Sequence, residues 1–407
     1  MKYSKLIEIV FEEIDVDEEF FLKQTKEFVK ELKKIFPRNN IIIGGSLAKK
    51  TMIKKEKQDI DLFICFNKED EMKIIEEKFE DKKINYKKIH GSRDYFQIEK
   101  GSIVFEIVPI LKIKKLEEVK NTTDFSPLHV KYILSQIKKR PFLRKEIKLT
   151  KAFCLANEFY GAESYIQGFS GYALEVLVCY YGSFLNFLKN FGKRKVIDPG
   201  KYFKNEKEVL RELNQSKIFS PIVLIDPVYK YRNLCANLSE ENFKKFLLKA
   251  REFLKNPSVD FFKKKEFNFK EFKENSKKRN EALVVIDLVC SNEKEDISAV
   301  KMKKFFNYLK EELKRKQQFI SDSKFLYLGN KRAKAFLSLK INKRIKVFGP
   351  KKDMKKALEE FIKKREEIYF ENDVAYSYED FSLEKFFKKQ KEVAKSMDVE
   401  FKLVEDI

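Results

Sequence analysis

"IIIGGSLAKKTMIKKEKQDIDLFICF", residues 41–66, makes two unusual demands of a fold. An apolar strand runs into Gly44-Gly45-Ser46, and the next apolar strand carries Asp59 and Asp61 one residue apart. Carboxylates are among the worst groups to put in a strand unless something compensates them. A phosphate and a divalent metal would do so. Residues i and i+2 of a strand share a face, about 6.6 Å apart. Asp59 and Asp61 therefore point together, while Ile60, Leu62 and Ile64 fill other layers.

A third apolar run, "GSIVFEIVPI" (101–110), reads as a strand that carries Glu106 on the face of Val104 and Val108. If it pairs beside the aspartate strand, Glu106 comes within about 5 Å of one aspartate. Three such carboxylates repel one another unless a cation sits among them, and a small set of oxygen ligands suits Mg²⁺. Two such ions would stabilise the attacking and leaving oxygens of an in-line displacement. The glycine turn supplies the other half of such a site. Gly44 and Gly45 let backbone approach a ligand, Ser46 offers a hydroxyl, and Lys49 a positive charge. The plain alternative is a tight turn followed by surface aspartates.

Composition widens the picture. The chain has 407 residues, 43% hydrophobic and 14% aromatic, which excludes a disordered chain and leaves room for several cores. Lys and Arg number 87 against 64 Asp and Glu, a formal net charge of +23, so a polyanionic partner, nucleic acid ahead of a membrane surface, is expected. Five dispersed cysteines without a CxxC pair suggest reduced thiols rather than a disulfide framework or zinc site. No apolar signal-peptide core is visible, and the most apolar helical stretch, "YALEVLVCYYGSFLNFL", is interrupted by Glu175, Gly182 and Asn186. These features predict a cytoplasmic protein with no membrane span.

The pattern along the chain predicts an α+β multidomain protein. Residues 1–140 alternate helix and strand as one mixed α/β domain, 141–256 read as a helical central domain, and 257–407 as a C-terminal α/β region. Helices are expected within 4–36 and 69–82 and strands near 40–45, 59–66 and 101–109. The C-terminal region opens with "FFKKKEFNFKEFKENSKKRN" (261–280), which interleaves Phe with Lys as either a solvated helix face over a Phe stripe or an RNA contact. Strands are then expected at "ALVVIDLVC" and within 324–350, with helices at 301–316, 351–366 and from 383, and a polar turn region between the last two.

Glycine turn, D-x-D strand and later strand carboxylate together resemble the nucleotidyltransferase superfamily that includes DNA polymerase β. "KAFCLANEFYGAESYIQGFSGYALEVLVCYYGSF" (151–184), "IDPVYKYRNLCANLS" (225–239), "DFSPLHVKYI" (124–133) and "VFGP" (347–350) resemble the archaeal, class I CCA-adding tRNA nucleotidyltransferases. The resemblance is specific to about residue 260 and looser beyond it. It implies a polymerase-β-like catalytic domain, a helical nucleotide-recognition domain and C-terminal tRNA-binding domains. Asp59, Asp61 and Glu106 would be the catalytic, metal-binding carboxylates, holding two Mg²⁺ ions; relatives commonly carry aspartate where Glu106 stands. Gly45, Ser46 and Lys49 would hold the nucleoside triphosphate, Lys49 standing where arginine is frequent. His129, Lys151 and Tyr160 would line the nucleotide pocket, and Arg232 would meet the base edge. The implied reaction is template-independent addition and repair of the tRNA 3′-terminal CCA from CTP and ATP. Another RNA-tailing enzyme, such as a poly(A) polymerase or A-only adder, is the nearest alternative; a non-catalytic RNA-binding protein is the more distant one. The expected partners are the tRNA acceptor stem and 3′ end, CTP and ATP; a homodimer is left open.

Overall fold

In the computed structural model, residues 3–91, 93–113, 119, 121–264, 266–291, 295–365 and 367–404 are described. The chain divides into two compact units, Met1–Lys265 and Glu266–Ile407. The first unit runs α1 (Tyr3–Ile14), α2 (Glu18–Ile35), β1 (Asn40–Ile43), α3 (Gly45–Lys49), β2 (Gln58–Phe66), α4 (Ile74–Asp81), β3 (Lys87–Ile89), β4 (Tyr95–Lys100) and β5 (Ile103–Leu111). It continues through α5 (Ser126–Lys139), α6 (Leu143–Ala156), α7 (Gly171–Tyr181), α8 (Phe184–Asn190), β6 (Val196–Ile197), α9 (Glu206–Glu212), α10 (Gln215–Ile218), β7 (Val223–Leu224) and α11 (Glu240–Lys255).

Local chemistry fixes these elements. Asp17 caps α2 by accepting from the amides of Glu19 and Phe20, with Glu18 and Glu19 in its first turn and Lys33 and Lys34 in its last. Its buried stripe of Thr25, Phe28 and Leu32 faces the sheet, where Phe28 stacks on Phe105 at 4.2 Å between centroids. The sheet order is β1-β2-β5-β4-β3. β2 and β5 run parallel, and the other pairings are antiparallel. One face, with Ile60, Leu62, Ile64, Phe105 and Ile107, packs under α2 and α4. The period of two sends Asp59, Asp61 and Glu106 to the opposite face, where Phe63, Cys65, Val108 and Ile110 form a smaller apolar cluster. The carboxylates thus escape the main core by parity.

β3 and β4 are not visible in the sequence pattern. Only Phe96 and Ile98 of β4 point into the core, amid polar residues on both sides, so the two-residue period is brief.

The helical part of this unit has its own core, dense in phenylalanine: Phe153, Phe184, Phe187, Phe246 and Phe253 are fully buried. Leu6, Val10 and Ile14 of α1 join that core rather than the sheet. Ser170 caps α7 through the amide of Ala173, and Gly182, at φ +84°, ends it in the left-handed conformation that favours glycine.

The second unit comprises α12 (Phe269–Lys278), β8 (Ala282–Cys290), α13 (Glu295–Arg315), β9 (Phe319–Gly329), β10 (Arg332–Lys340), β11 (Arg344–Lys351), α14 (Lys355–Lys363), β12 (Tyr369–Glu371), β13 (Val374–Asp380), α15 (Leu383–Ser396) and β14 (Val399–Leu403). A sheet ordered β14-β8-β10-β9 packs on α13 and α15 through Phe305, Phe306, Leu309 and Phe387. Phe272 of α12 packs with Val285 and Phe336 in a separate cluster. A second sheet is ordered β11-β13-β12; β11 lies where a strand is expected, and β12 and β13 fill the stretch where the sequence predicts a polar turn region. There Asn372 and Asp373, at φ +46° and +61°, turn the β12–β13 hairpin, a pairing suited to asparagine and aspartate. All five cysteines are buried and unpaired. Among the described residues no helix is long and apolar enough to cross a membrane.

Candidate active site

Gly44 leaves β1 in extended conformation, and its amide donates to the Asp61 carbonyl at 2.9 Å. A β-carbon on Gly44 would lie 2.1 Å from the Phe63 ring. One on Gly45, at φ +57°, would lie 1.7 Å from Asp61 Oδ2. The glycine pair is therefore required by the side chains of β2 that press against it.

Asp61 and Glu106 are direct partners across the parallel β2–β5 ladder, and Asp59 stands two residues before Asp61. Gln97 of β4 is opposite Glu106 and donates to its Oε1 at 2.9 Å. Burial pushes the Glu106 carboxyl up to about 7, with the Asp61 charge adding to the shift. Burial also raises Asp61, against the pull of Lys49, while Asp59 raises it further. Asp59 pairs with Lys55 Nζ at 2.9 Å. As they stand, no three Asp, Glu, His or Cys side chains among the described residues close up as a metal cage. Asp59 is turned to Lys55 and Glu106 to Gln97. The donor set nonetheless fits a hard divalent cation. It offers only oxygens, burial and then mutual repulsion disfavour the charge of its two innermost carboxylates, and the Lys55 ammonium already occupies the place of a cation on Asp59.

These carboxylates line a pocket of about 300 Å³. Gly45, Ser46, Lys49, Asp59, Asp61, Glu106, His129, Lys151 and Tyr160 all line it, so the structure gathers every predicted site residue but one. A larger groove of about 770 Å³, beside α2 and lined by Asp15, Glu18, Lys26 and Lys148 among others, contains none of them.

The exception is Arg232. Its Nη1 lies 3.5 Å from Asp226 Oδ2, and its side chain is one-third exposed, outside the pocket lining. Asp226 is wholly buried and also receives the His129 Nε2 contact at 3.0 Å, the Tyr172 hydroxyl at 3.2 Å and the Val228 amide at 2.9 Å. Burial works to raise the Asp226 carboxyl, but the His129 bond prevails and lowers it. His129 is itself lowered by burial, against the pull of Asp226. The Tyr172 ring stacks on the imidazole at 4.0 Å, so Arg232 reaches the pocket wall through Asp226.

The same pocket is also lined by cations, Lys49, Lys55 and Lys151. Lys49 Nζ and Lys151 Nζ flank Glu175 at 2.6 and 2.7 Å, one on each carboxylate oxygen. Burial lowers the Lys151 ammonium to about 8, with Glu175 resisting and Lys49 adding to the fall. Tyr160 lies under Lys55, whose Nζ is 5.4 Å from the ring centroid. A β-carbon on Gly171 would come within 2.7 Å of the Tyr160 hydroxyl.

Sequence reasoning passed over Glu175, Thr51, Lys55, Gln97 and Tyr172. Glu175 had a signal: it is the lone carboxylate of an otherwise apolar helix, and such a residue needs a buried partner. Gln97 had none, since its strand is not evident in the sequence.

Comparison with known proteins agrees with this geometry. A family model described as a nucleotidyltransferase domain matches residues 22–154, and one described as the second domain of tRNA nucleotidyltransferase matches 145–263. The CCA-adding enzyme of Nanoarchaeum equitans is 36% identical over 281 residues, 66% of this chain and 67% of that one. That of Methanocaldococcus jannaschii is 30% identical over 365 residues, 84% and 78%. Among solved structures, the Cid1 poly(U) polymerase in its 3′-dATP form aligns at a TM-score of 0.51 and 15% identity, over 65% of this chain and 99% of that one, a likeness of fold alone. Similarity that spans most of both sequences, together with the two domain matches, establishes that this chain belongs to the family of archaeal CCA-adding tRNA nucleotidyltransferases.

Proposed function

We propose that this protein adds and repairs the 3′-terminal CCA of tRNA, using CTP and ATP without a nucleic-acid template and releasing pyrophosphate. The observation that carries the reading is that one pocket is lined both by the carboxylates Asp59, Asp61 and Glu106 and by the lysines Lys49 and Lys151, in a chain of this family. Enzymes of the nucleotidyltransferase family use divalent metal ions, and here Asp59, Asp61 and Glu106 would hold two Mg²⁺. Bound there, the ions supply Lewis-acid stabilisation of the charge that develops at the transferred phosphoryl group.

The remaining work falls to the chain. Lys49, Ser46 and Lys151 neutralise and orient the triphosphate, and Tyr160 and His129 close the pocket around the nucleotide. Arg232, outside the lining and held on Asp226, would meet the edge of a base that extends past His129 and Tyr172. Cytosine and adenine share an exocyclic amino donor beside a ring-nitrogen acceptor, whereas uracil and guanine offer a carbonyl and a ring N–H there. A fixed set of polar partners accepts the first pair and leaves unpaired, desolvated groups against the second, at about 1–3 kcal/mol for each. The basic second unit, with Lys346 lying 3.8 Å over the Tyr376 ring, supports a role in holding tRNA through its backbone and shape.

A tRNA transcript ending at the discriminator base, offered each nucleotide singly and together, tests the reading. Incorporation of C, C and then A is expected, with Asp59→Ala and Asp61→Ala inactive for both nucleotides and still able to bind tRNA. An extended A or U tail refutes CCA addition, and equal losses of binding and activity would make the aspartates structural.

A further inference from the structure

Glu175 lies in the wall of the pocket and takes no part in the chemistry proposed above. It sits wholly buried at the centre of α7, where Ala173, Leu174, Val176, Leu177 and Val178 are also inaccessible. A carboxylate there must be paired to be tolerated. Its partners come from two other segments. Lys49, ending α3, meets Oε2 at 2.6 Å, and Lys151, on α6, meets Oε1 at 2.7 Å. The Thr51 hydroxyl donates to Oε1 at 2.9 Å and receives Lys151 Nζ at 3.1 Å, while the Thr51 carbonyl receives it at 3.2 Å.

This arrangement forces two ammonium groups side by side against their mutual repulsion, since the two oxygens of one carboxylate are close-set. Two positive charges against one negative leave the cluster net cationic. The donors are divided unequally. Lys151 has its three N–H groups committed to Glu175 Oε1, Thr51 O and Thr51 Oγ1. Lys49 has Glu175 as its one hydrogen-bond partner among the described residues, which leaves donors for a ligand.

We propose that Glu175 is the positioning residue for the triphosphate, pinning Lys49 and Lys151 so that Lys49 aims its remaining donors, and both lysines their charge, at the phosphates beyond the α-phosphate. The proposal rests on the nucleotide-binding part of the function proposed above. It makes Glu175 responsible for discrimination by phosphate number, a property that a purely structural residue does not control.

The test is equilibrium binding of CTP and CMP, with Mg²⁺, to the full chain carrying Glu175, Glu175→Gln or Glu175→Asp. Glu175→Gln keeps the shape and removes the charge. It is expected to weaken CTP roughly ten- to hundredfold, the scale of a lost charged hydrogen bond, and to leave CMP nearly unchanged. Glu175→Asp, which keeps the charge with a shorter reach, should fall between. Equal weakening of CTP and CMP, or unchanged CTP affinity, overturns the proposal. Where Glu175→Gln fails to fold, Glu175→Gln with Lys151→Met is compared with Lys151→Met alone, and a further weakening of CTP but not of CMP is expected in the double variant. Failure of that pair to fold makes Glu175 structural and overturns the proposal too. A wild-type chain that binds CTP with this dependence yet adds nothing to tRNA sinks CCA addition alone. One that binds no CTP sinks both.

Discussion

Glu106→Gln measures the electrostatic load carried by the carboxylate side of the pocket. Burial, and then the neighbouring Asp61, raise the Glu106 carboxyl from an ordinary 4.5 to about 7. At 1.36 kcal/mol for each pH unit, keeping it ionised in the metal-free fold costs at most about 3 kcal/mol. Its folded value is the raised one. Its contribution to stability is therefore fully present below pH ~4.5 and is lost as the pH rises to about 7. Glutamine does not titrate and can keep the bond from Gln97 by turning its amide. Urea unfolding of chelated protein, followed by far-ultraviolet circular dichroism because the chain has no Trp, should give a pH-dependent difference between the two proteins. The variant should gain on the wild type by up to about 3 kcal/mol between pH 4.5 and 8, with most of the change below pH 7. Saturating Mg²⁺ should flatten the wild-type profile and leave the variant's nearly unchanged, because a ligand that binds only the folded state stabilises it. A difference that ignores pH, or one in which the wild type gains at high pH, refutes the reasoning.

Gly45→Ala places a β-carbon in a left-handed backbone and 1.7 Å from Asp61 Oδ2, so it should cost about 1–2 kcal/mol of stability while reducing nucleotide incorporation by about 10²-fold or more, since small misplacements of reacting groups are that expensive; wild-type turnover in single-nucleotide assays would disprove the contact. Arg232→Ala and Arg232→Lys should both relax discrimination against UTP and GTP more than they lower turnover with CTP, because an ammonium cannot reproduce the planar fork; equal loss with all four nucleotides would assign base selection elsewhere. Affinity for tRNA should fall steeply between 50 and 200 mM salt, as expected for a chain of net charge +23 binding through phosphates, and filter binding that is insensitive to salt would exclude such an interface.

Much of the site is legible in the sequence because strands have a period of two. Asp59, Asp61 and Glu106 stand where that period breaks an apolar run, and the structure places Asp61 opposite Glu106. The glycine turn is legible as a turn, but its cause is not: nothing local says that Phe63 and Asp61 fill the space beside Gly44 and Gly45. Lys49, Lys151 and Glu175 meet across 126 and 24 residues of sequence, so their network depends on tertiary packing. Arg232 and Asp226, six residues apart, are close enough in sequence for their pairing to be legible there, but the burial of Asp226 follows from how the 225–233 turn folds back on itself. β3 and β4 escape detection because they are short and their apolar residues are few, and β12 and β13 because the polar Glu371-Asn372-Asp373 turn and the acidic end of β13 mask two short aromatic runs.

The parallel pairing of β2 with β5 also decides which genetic changes this enzyme can survive. Glu106 faces the pocket, and Phe105 and Ile107 face the core beneath α2 and α4. One residue inserted between Ser102 and Glu106 would, if the strand kept its pairing downstream of the carboxylate, bulge; if it slipped instead, each side chain would change faces. A phenylalanine would then sit among the aspartates and a carboxylate would enter the apolar core. Point substitutions can drift across the outer positions of this strand, but a single inserted or deleted codon in its first half that is not taken up as a bulge would destroy catalytic site and core together. The reading frame of the site is thus kept by hydrogen-bond register as much as by residue identity, and a scan of one-codon insertions across residues 101–111 should show a sharp edge rather than a gradual decline in function.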